Sequence, residues 1–349
     1  MAFAVAFAAG TNDEMMAPGV ASGAFTLRTA VILGAIFSVL GAFLMGAPVA
    51  KKIGKDLIGN RILTDPMIIS ILIAMIIVLV STSIAEGLPI STTQSVIGAI
   101  IGVCAVAGFK YSEWGVFSVD YWQFLEIAAG WILSPLIGFI VAATVQFWLQ
   151  RFEEYYFAGK QNKDEEKEKE EETVPIFQMT DRERLDRFYT YLLGFFLILS
   201  SASRAGNDVA NSIAPVLSLQ ILSDNSSGSS NEYLMIIGGV GMALGLILIG
   251  WKVIKVVAKE IVSMSAGSAL SAMISVTLVM TIGTMAGFPL SGTHVLIAAM
   301  IAVGWADRMP IQKEFVKTIA ISWIVTVPVT AVLGAGIWII IDWLYYLLL

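Results

Sequence analysis

Two short polar pairs, Asn12-Asp13 and Asn207-Asp208, interrupt otherwise apolar stretches of this 349-residue chain. An ionised carboxylate in apolar surroundings is costly, so it normally faces a cavity and has a partner. Arg204 lies four residues before Asp208, one turn if the helix is unbroken, and can pair with it; no basic residue follows Asp13 until Arg28. A bound cation would supply the missing charge. Asn12, Asn207 and Asn211 offer the neutral oxygens that a hard cation takes beside a carboxylate. The plainer alternative is that these side chains only cap a broken helix, and the two roles can coexist.

A second constellation is Ser91-Thr92-Thr93 and Ser291-Gly292-Thr293, each following a Gly-x-Pro turn and preceding a fresh apolar run. That placement is expected of a helix N-terminus. Unpaired backbone N–H groups, the positive end of the helix dipole and hydroxyl donors converge there, which makes an anion site. Two such ends meeting would surround a tetrahedral oxyanion without needing Lys or Arg. Ordinary capping and interhelical hydrogen bonding by Ser and Thr is the alternative. Gln94 and His294 take the same place after the two triplets, so the slot wants a long hydrogen-bonding side chain rather than an imidazole. Glu14 and Glu86 have no acidic mate in the other half and rank second. Glu126 reads as interfacial, and no role is assigned to it.

The elements that position these residues are membrane helices. Of 48 charged residues, 20 fall between Arg151 and Arg187, and mean hydropathy is +0.81, which excludes a water-soluble fold. At roughly 20 apolar residues per span, the rest has room for about ten membrane segments. Runs 29–50, 67–85, 121–149, 188–203, 233–258, 262–286 and 315–349 read as plain spans. Four stretches, 1–25, 87–108, 202–222 and 287–304, carry Gly, Pro and polar side chains and read as broken or re-entrant helices. Non-helical backbone at that depth must be buried or line a cavity. Trp114, Trp122, Trp343, Tyr345 and Tyr346 are expected as interface anchors.

The interruptions come in pairs, in the same order. Asn12-Asp13 is matched by Asn207-Asp208, each followed by a proline, Pro18 and Pro215. Gly46-x-x-Val49-x-Lys51-x-x-x-Lys55-Asp56 recurs with identical spacing as Gly250-x-x-Val253-x-Lys255-x-x-x-Lys259-Glu260. The segment 87–94 recurs as 287–294, and Trp131-to-Pro135 has a looser counterpart in Trp323-to-Pro328. Weak internal symmetry with paired discontinuous helices is the pattern of secondary transporters that bind substrate between two repeats near the midplane. The expected fold is therefore an all-α membrane protein, a polytopic helical bundle of two inverted repeats with broken or re-entrant helices. Residues 1–150 form the first repeat, 151–187 a charged linker and 188–349 the second repeat. The middle of the linker, 161–172, has no apolar face and reads as solvated or disordered. Its Lys and Arg place it in the cytoplasm, with both termini outside and the rest in the cell membrane.

One Cys and one His exclude an intrachain disulfide, a Cys/His zinc site and a paired-His metal centre. The net charge of −6 and the absence of a basic stripe argue against nucleic acid. The amino terminus has no positive n-region and does not read as a cleaved signal.

With these motifs in view, the chain resembles the inorganic phosphate transporter family. Residues 203–215, Ser-Arg-Ala-Gly-Asn-Asp-Val-Ala-Asn-Ser-Ile-Ala-Pro, fit that family's Gly-Ala-Asn-Asp-Val-Ala-Asn signature with Ala205-Gly206 in place of Gly-Ala. Residues 287–294 fit its Gly-x-Pro-x-Ser-x-Thr-His segment. The first copy departs from the pattern, with Met16 in place of the expected Asn and Gln94 in place of the His. The resemblance implies a phosphate symporter with inverted repeats, driven by sodium or protons and often a homodimer. The combined expectation is a non-enzymatic transporter importing phosphate with sodium, bound together at the repeat interface. Ser91, Thr92, Thr93, Ser291, Gly292 and Thr293 would hold the anion, and Asn12, Asp13, Asn207, Asp208, Asn211, Gln94 and His294 the cation. No cofactor is expected beyond the transported sodium. The rivals are a proton-coupled phosphate or sulfate permease and a membrane phosphatase using Ser291 or Thr293 with His294 as base.

Overall fold

Where hydrocarbon replaces water, every backbone N–H and C=O must bond within the chain, so apolar runs of this length become helices. The computed structural model describes residues 1–57, 63–110, 119–167, 180–221 and 229–348, and all regular structure among them is helical. The helices in chain order are α1 (Ala2–Thr11), α2 (Ala17–Ala21), α3 (Leu27–Met45), α4 (Ala47–Lys51), α5 (Asp65–Ala85), α6 (Thr92–Lys110), α7 (Tyr121–Lys167), α8 (Asp181–Ile221), α9 (Ser229–Gly245), α10 (Trp251–Glu260), α11 (Ala266–Met285), α12 (Gly292–Ala306) and α13 (Lys313–Leu348). Seven stretches of helix among the described residues are long and apolar enough to cross a bilayer, making this a multi-pass membrane protein.

Three of the four expected interruptions are present. The chain leaves helical form between α1 and α2, at residues 12–16, and in two hairpins, 87–91 and 287–291. Each hairpin turns on a glycine in the left-handed region, Gly87 at φ 63° and Gly287 at φ 79°, where a Cβ would be strained. The fourth expectation is corrected. Segment 202–222 is not broken through Ile221, because α8 runs continuously from Asp181 to Ile221 with Pro215 inside it. The runs 29–50 and 233–258 deviate at the two copies of the Gly-x-x-Val-x-Lys motif. Gly46 separates α3 from α4, and a π-helical turn, Leu246–Gly250, separates α9 from α10. α7 continues through Lys167, into the segment 161–172 expected from sequence to be solvated or disordered, and 168–179 lie outside the described residues. An Arg182–Glu153 ion pair of 2.9 Å ties the start of α8 to α7. The boundaries expected near 150 and 187 fall inside α7 and α8.

Packing is exchanged between the two halves of the chain. α1 lies on α9 while α3 lies on α8, and α6 lies on α13 while α7 lies on α12. Small residues allow the close approach, as is usual between membrane helices: a Cβ at Gly102 in α6 would collide with the Ala331 carbonyl oxygen of α13. The far ends of the two hairpin helices are also tied across the halves. Asp307, capping α12, accepts from Gln146 at 2.6 Å and Gln150 at 2.7 Å on α7, and Lys110 at the end of α6 pairs with Asp342 on α13.

Candidate functional site

The two asparagines that precede the aspartates do the same work in each half. Asn12 donates to the Ile90 carbonyl at 2.5 Å and accepts from the Ile90 N–H at 3.2 Å, strapping the end of α1 to the first hairpin. Asn207 on α8 donates to the Phe288 carbonyl at 2.9 Å and to the Thr284 hydroxyl at 3.2 Å, strapping α8 to the second. A hairpin of irregular backbone in the membrane must have its polar groups met, and a side-chain amide carries both donor and acceptor.

The aspartates converge on Arg204. Its Nε donates to Asp208 Oδ2 at 2.9 Å, and its two terminal nitrogens reach Glu14 Oε1 and Oε2 at 2.5 and 3.1 Å. Nε also stands 3.7 Å from Asp13 Oδ1. A planar guanidinium fork suits this arrangement, since it meets a carboxylate with two parallel bonds and still has donors to spare. All four side chains are buried. The partner that Asp13 lacked in sequence is therefore supplied from the other half, and Glu14, ranked second by sequence, is the carboxylate most fully engaged. The usable signal was that an acid in an apolar run needs a partner and that Arg204 is the basic residue of the second half's apolar core. With their usual charges, three carboxylates and one guanidinium leave the cluster at −2.

The two hairpin helices meet this cluster and each other. The Thr93 hydroxyl donates to the Leu290 carbonyl at 2.7 Å, and the Thr293 hydroxyl to the Ile90 carbonyl at 3.3 Å, so each helix start binds the other half's hairpin. Asn211 donates to Thr93 Oγ1 at 2.6 Å and Arg204 to Thr293 Oγ1 at 3.2 Å. Ser91 and Ser291 act as caps, accepting from the N–H groups of Gln94 at 3.2 Å and His294 at 3.4 Å. The first N–H groups of α6 and α12 have no carbonyl partner within their own helices, and the two serines meet those of Gln94 and His294. Gly292 has a specific reason to be glycine: a Cβ there would lie 3.0 Å from Arg204 Cδ and 3.2 Å from its Nη1.

At the start of α6 and in the polar turn of α8, three buried oxygens, Thr92 Oγ1, Gln94 Oε1 and Asn211 Oδ1, have no hydrogen-bond partner among the described residues. Each is an oxygen of the kind a hard cation or an ordered water takes. His294 is turned elsewhere. Its ring stacks on Trp323 at 4.0 Å between centroids, and Nδ1 lies 3.4 Å from the Trp131 carbonyl oxygen. No hydrogen bond or ion pair joins Gln94 or His294 to the Arg204 cluster among the described residues. The structure thus brings together Asn12, Asp13, Asn207, Asp208, Asn211, Thr93, Thr293 and Gly292, with Ser91 and Ser291 behind them as caps.

Fold and site define a multi-pass helical membrane protein whose occluded, charged centre is assembled from both halves of its chain. Residues 9–334 match the sequence profile of the phosphate transporter family, and the chain belongs to that family. A protein of Pyrococcus furiosus, provisionally named a phosphate permease, is 29% identical over 97% of this chain and 93% of its own. The chloroplastic inorganic phosphate transporter 2-1 of Arabidopsis thaliana is 24% identical over 98% of this chain and 70% of its own. The solved structure of a sodium-dependent phosphate transporter superposes with a TM-score of 0.78 at 22% identity, covering 100% of this chain and 98% of its own; the likeness is one of fold.

Proposed function

We propose that this protein imports inorganic phosphate by symport with sodium, and that cation and anion bind together where the two hairpins meet. The observation that carries the reading is the buried cluster of Asp13, Glu14 and Asp208 around one arginine. With all three carboxylates ionised the centre is doubly negative and repels an oxyanion, and in a low-dielectric cavity that repulsion is strong. Cations must therefore enter first or with the anion, which is coupling. The unpartnered oxygens of Asn211, Gln94 and Thr92 supply neutral ligands beside the carboxylates, and the backbone N–H groups at the starts of α6 and α12 supply the donors for phosphate. Phosphate carries a hydrogen that it can donate to Asp13 or Asp208, and sulfate at neutral pH does not, so the carboxylates favour phosphate.

The paired motifs and the packing of each half on the other support two inverted repeats, and the Lys and Arg of 151–187 support a cytoplasmic linker with both termini outside. The sodium dependence of the structural relative agrees with the oxygen chemistry of this site. Radiolabelled phosphate uptake into proteoliposomes, with sodium, potassium and pH gradients imposed separately, tests the reading. Uptake should follow the sodium gradient; uptake that ignores sodium and follows the pH gradient would replace sodium by protons. Asp208→Asn and Asp13→Asn should each abolish sodium-driven uptake in protein that still inserts, and wild-type uptake in both would remove the carboxylates from the cation site.

A further inference from the structure

Away from the polar centre, a cleft of about 600 Å³ opens between α7 and α11. Gly130, Leu133, Ile137 and Val141 form one wall, Leu278 and Ile282 the other, and Leu290 of the second hairpin also lines it. These walls belong to the outer face of the bundle; Ile282 is 66% exposed. Besides Glu126, Ser134 is the one polar side chain among the lining residues.

The depth of the cleft is set by α7. The helix opens on Tyr121 and Trp122, the latter 76% exposed, and such rings at a span's end mark headgroup level. Glu126 is about one turn further in. From Glu126 to Val141 the helix rises about 22 Å, and half a bilayer with its headgroups is about 20–22 Å. The cleft therefore starts about one turn below the headgroups, where a headgroup can still reach, and extends past the bilayer centre, which gives room for one acyl chain.

Glu126 of the lining is paired with a cation that stands beside the cleft. Lys52 Nζ donates to Glu126 Oε1 at 2.9 Å, with side chains 20% and 40% exposed, and lies 5.5 Å from the centroid of the Phe288 ring. That bond uses one of three ammonium hydrogens and one of two carboxylate oxygens. A cation and an anion side by side at this depth complement a zwitterion. An ethanolamine headgroup fits both, its phosphate diester facing Lys52 and its primary ammonium donating to Glu126. A choline headgroup has no N–H to donate, and a glycerol headgroup has no positive charge.

We infer that this cleft binds a phospholipid with an ethanolamine headgroup, one acyl chain lying between α7 and α11 and the headgroup held by Lys52 and Glu126. The chain would press on Leu290, whose carbonyl accepts the Thr93 hydroxyl, and so would support the second hairpin from its lipid side.

The test uses the full-length protein in vesicles doped with phosphatidylethanolamine, phosphatidylcholine or phosphatidylglycerol, each carrying a diazirine on one acyl chain. After irradiation, labelled peptides are mapped. Phosphatidylethanolamine should label residues 129–141 and 278–290 several-fold more than the other two lipids. Glu126→Gln should remove that preference. Gly130→Phe should remove the labelling at these residues; a Cβ there meets nothing nearer than Leu290 Cδ2 at 3.7 Å, so the backbone accepts a side chain. Should Gly130→Phe fail to fold, Ile282→Trp closes the cleft from α11. Equal labelling by all three lipids, or labelling no stronger here than on the exposed faces of α3 and α9, overturns the inference. So does a disulfide between two copies through Ile282→Cys with loss of the lipid label, which would make this face a contact between copies; Cys104 is buried and does not compete.

Discussion

The two Asn-Asp segments share a motif and differ in backbone. At Asn12-Asp13 the helix stops, and Asp13 Oδ1 accepts the Met15 N–H at 3.0 Å, a local side-chain bond of the kind that competes with a helix. At Asn207-Asp208 the helix continues. There, three contacts span one turn each: Arg204 to Asp208, Asn211 to Asn207 at 3.0 Å, and the Ser212 hydroxyl to the Asp208 carbonyl at 2.7 Å. In the first copy Met16 stands in place of Asn211 and cannot make the amide bridge. Pro18 sits at the start of α2, where its ring suits a helix start, whereas Pro215 is carried inside α8. One copy thus delivers two carboxylates on irregular backbone, and the other delivers an arginine and a carboxylate on a rigid helix. Asn-Asp is a hairpin strap in both and a helix breaker in neither by itself.

Removing the residue on which both copies depend should have the largest effect. Arg204→Met leaves three buried carboxylates without a counter-charge, at a cost of about 3–5 kcal/mol. Thermal unfolding of the purified protein should shift well down and uptake should vanish. Adding Glu14→Gln should restore part of the stability and none of the uptake. An unchanged melting temperature for Arg204→Met would mean that the two copies are not held together through this residue.

A second variant makes the copies more alike. Gly292→Thr places the first copy's residue, Thr92, at the start of α12, where its Cβ would crowd Arg204. Overpacking of this kind costs about 1–3 kcal/mol, and phosphate uptake should fall sharply, whereas Thr92→Gly should be mild. Equal effects would show that Arg204 does not set the identity of residue 292.

The reciprocal threonines sharpen the comparison further. Thr93→Val and Thr293→Val each keep the side-chain shape and leave the carbonyl bond that seats one helix start on the other half's hairpin unmade, at about 1–3 kcal/mol, or roughly 5- to 150-fold in phosphate affinity. Thr93→Val should be the more severe, because its bonds are shorter, 2.6 and 2.7 Å against 3.2 and 3.3 Å. Apparent sodium affinity at fixed phosphate should fall with it, while sodium binding measured without phosphate should hardly change. Weakened sodium binding without phosphate would instead make Thr93 a cation ligand.

The smallest effect is expected where the halves are merely joined. Deleting residues 161–172 should leave uptake intact, because this stretch has no apolar face with which to support the membrane core. A loss of uptake at normal expression would make the linker part of the working asymmetry.

Composition and hydropathy alone determined an all-helical membrane protein, because apolar length in hydrocarbon admits little else. The paired motifs located both hairpins, since Gly87 and Gly287 must turn where a Cβ is strained and Ser91 and Ser291 must cap α6 and α12. Local chemistry also paired Arg204 with Asp208, one turn apart. What sequence could not determine was contact across the halves. Arg204 reaches Glu14 over 190 residues, Thr93 reaches Leu290 over 197, and the His294 ring packs on the Trp323 ring with Nδ1 by the Trp131 carbonyl oxygen. Nor could it decide between a broken and a continuous helix at the second Asn-Asp, because the same residues fit both. Tertiary structure decided these matters because a charge buried in a membrane takes its partner from whichever helix packs against it, and packing depends on shape and depth rather than on order along the chain.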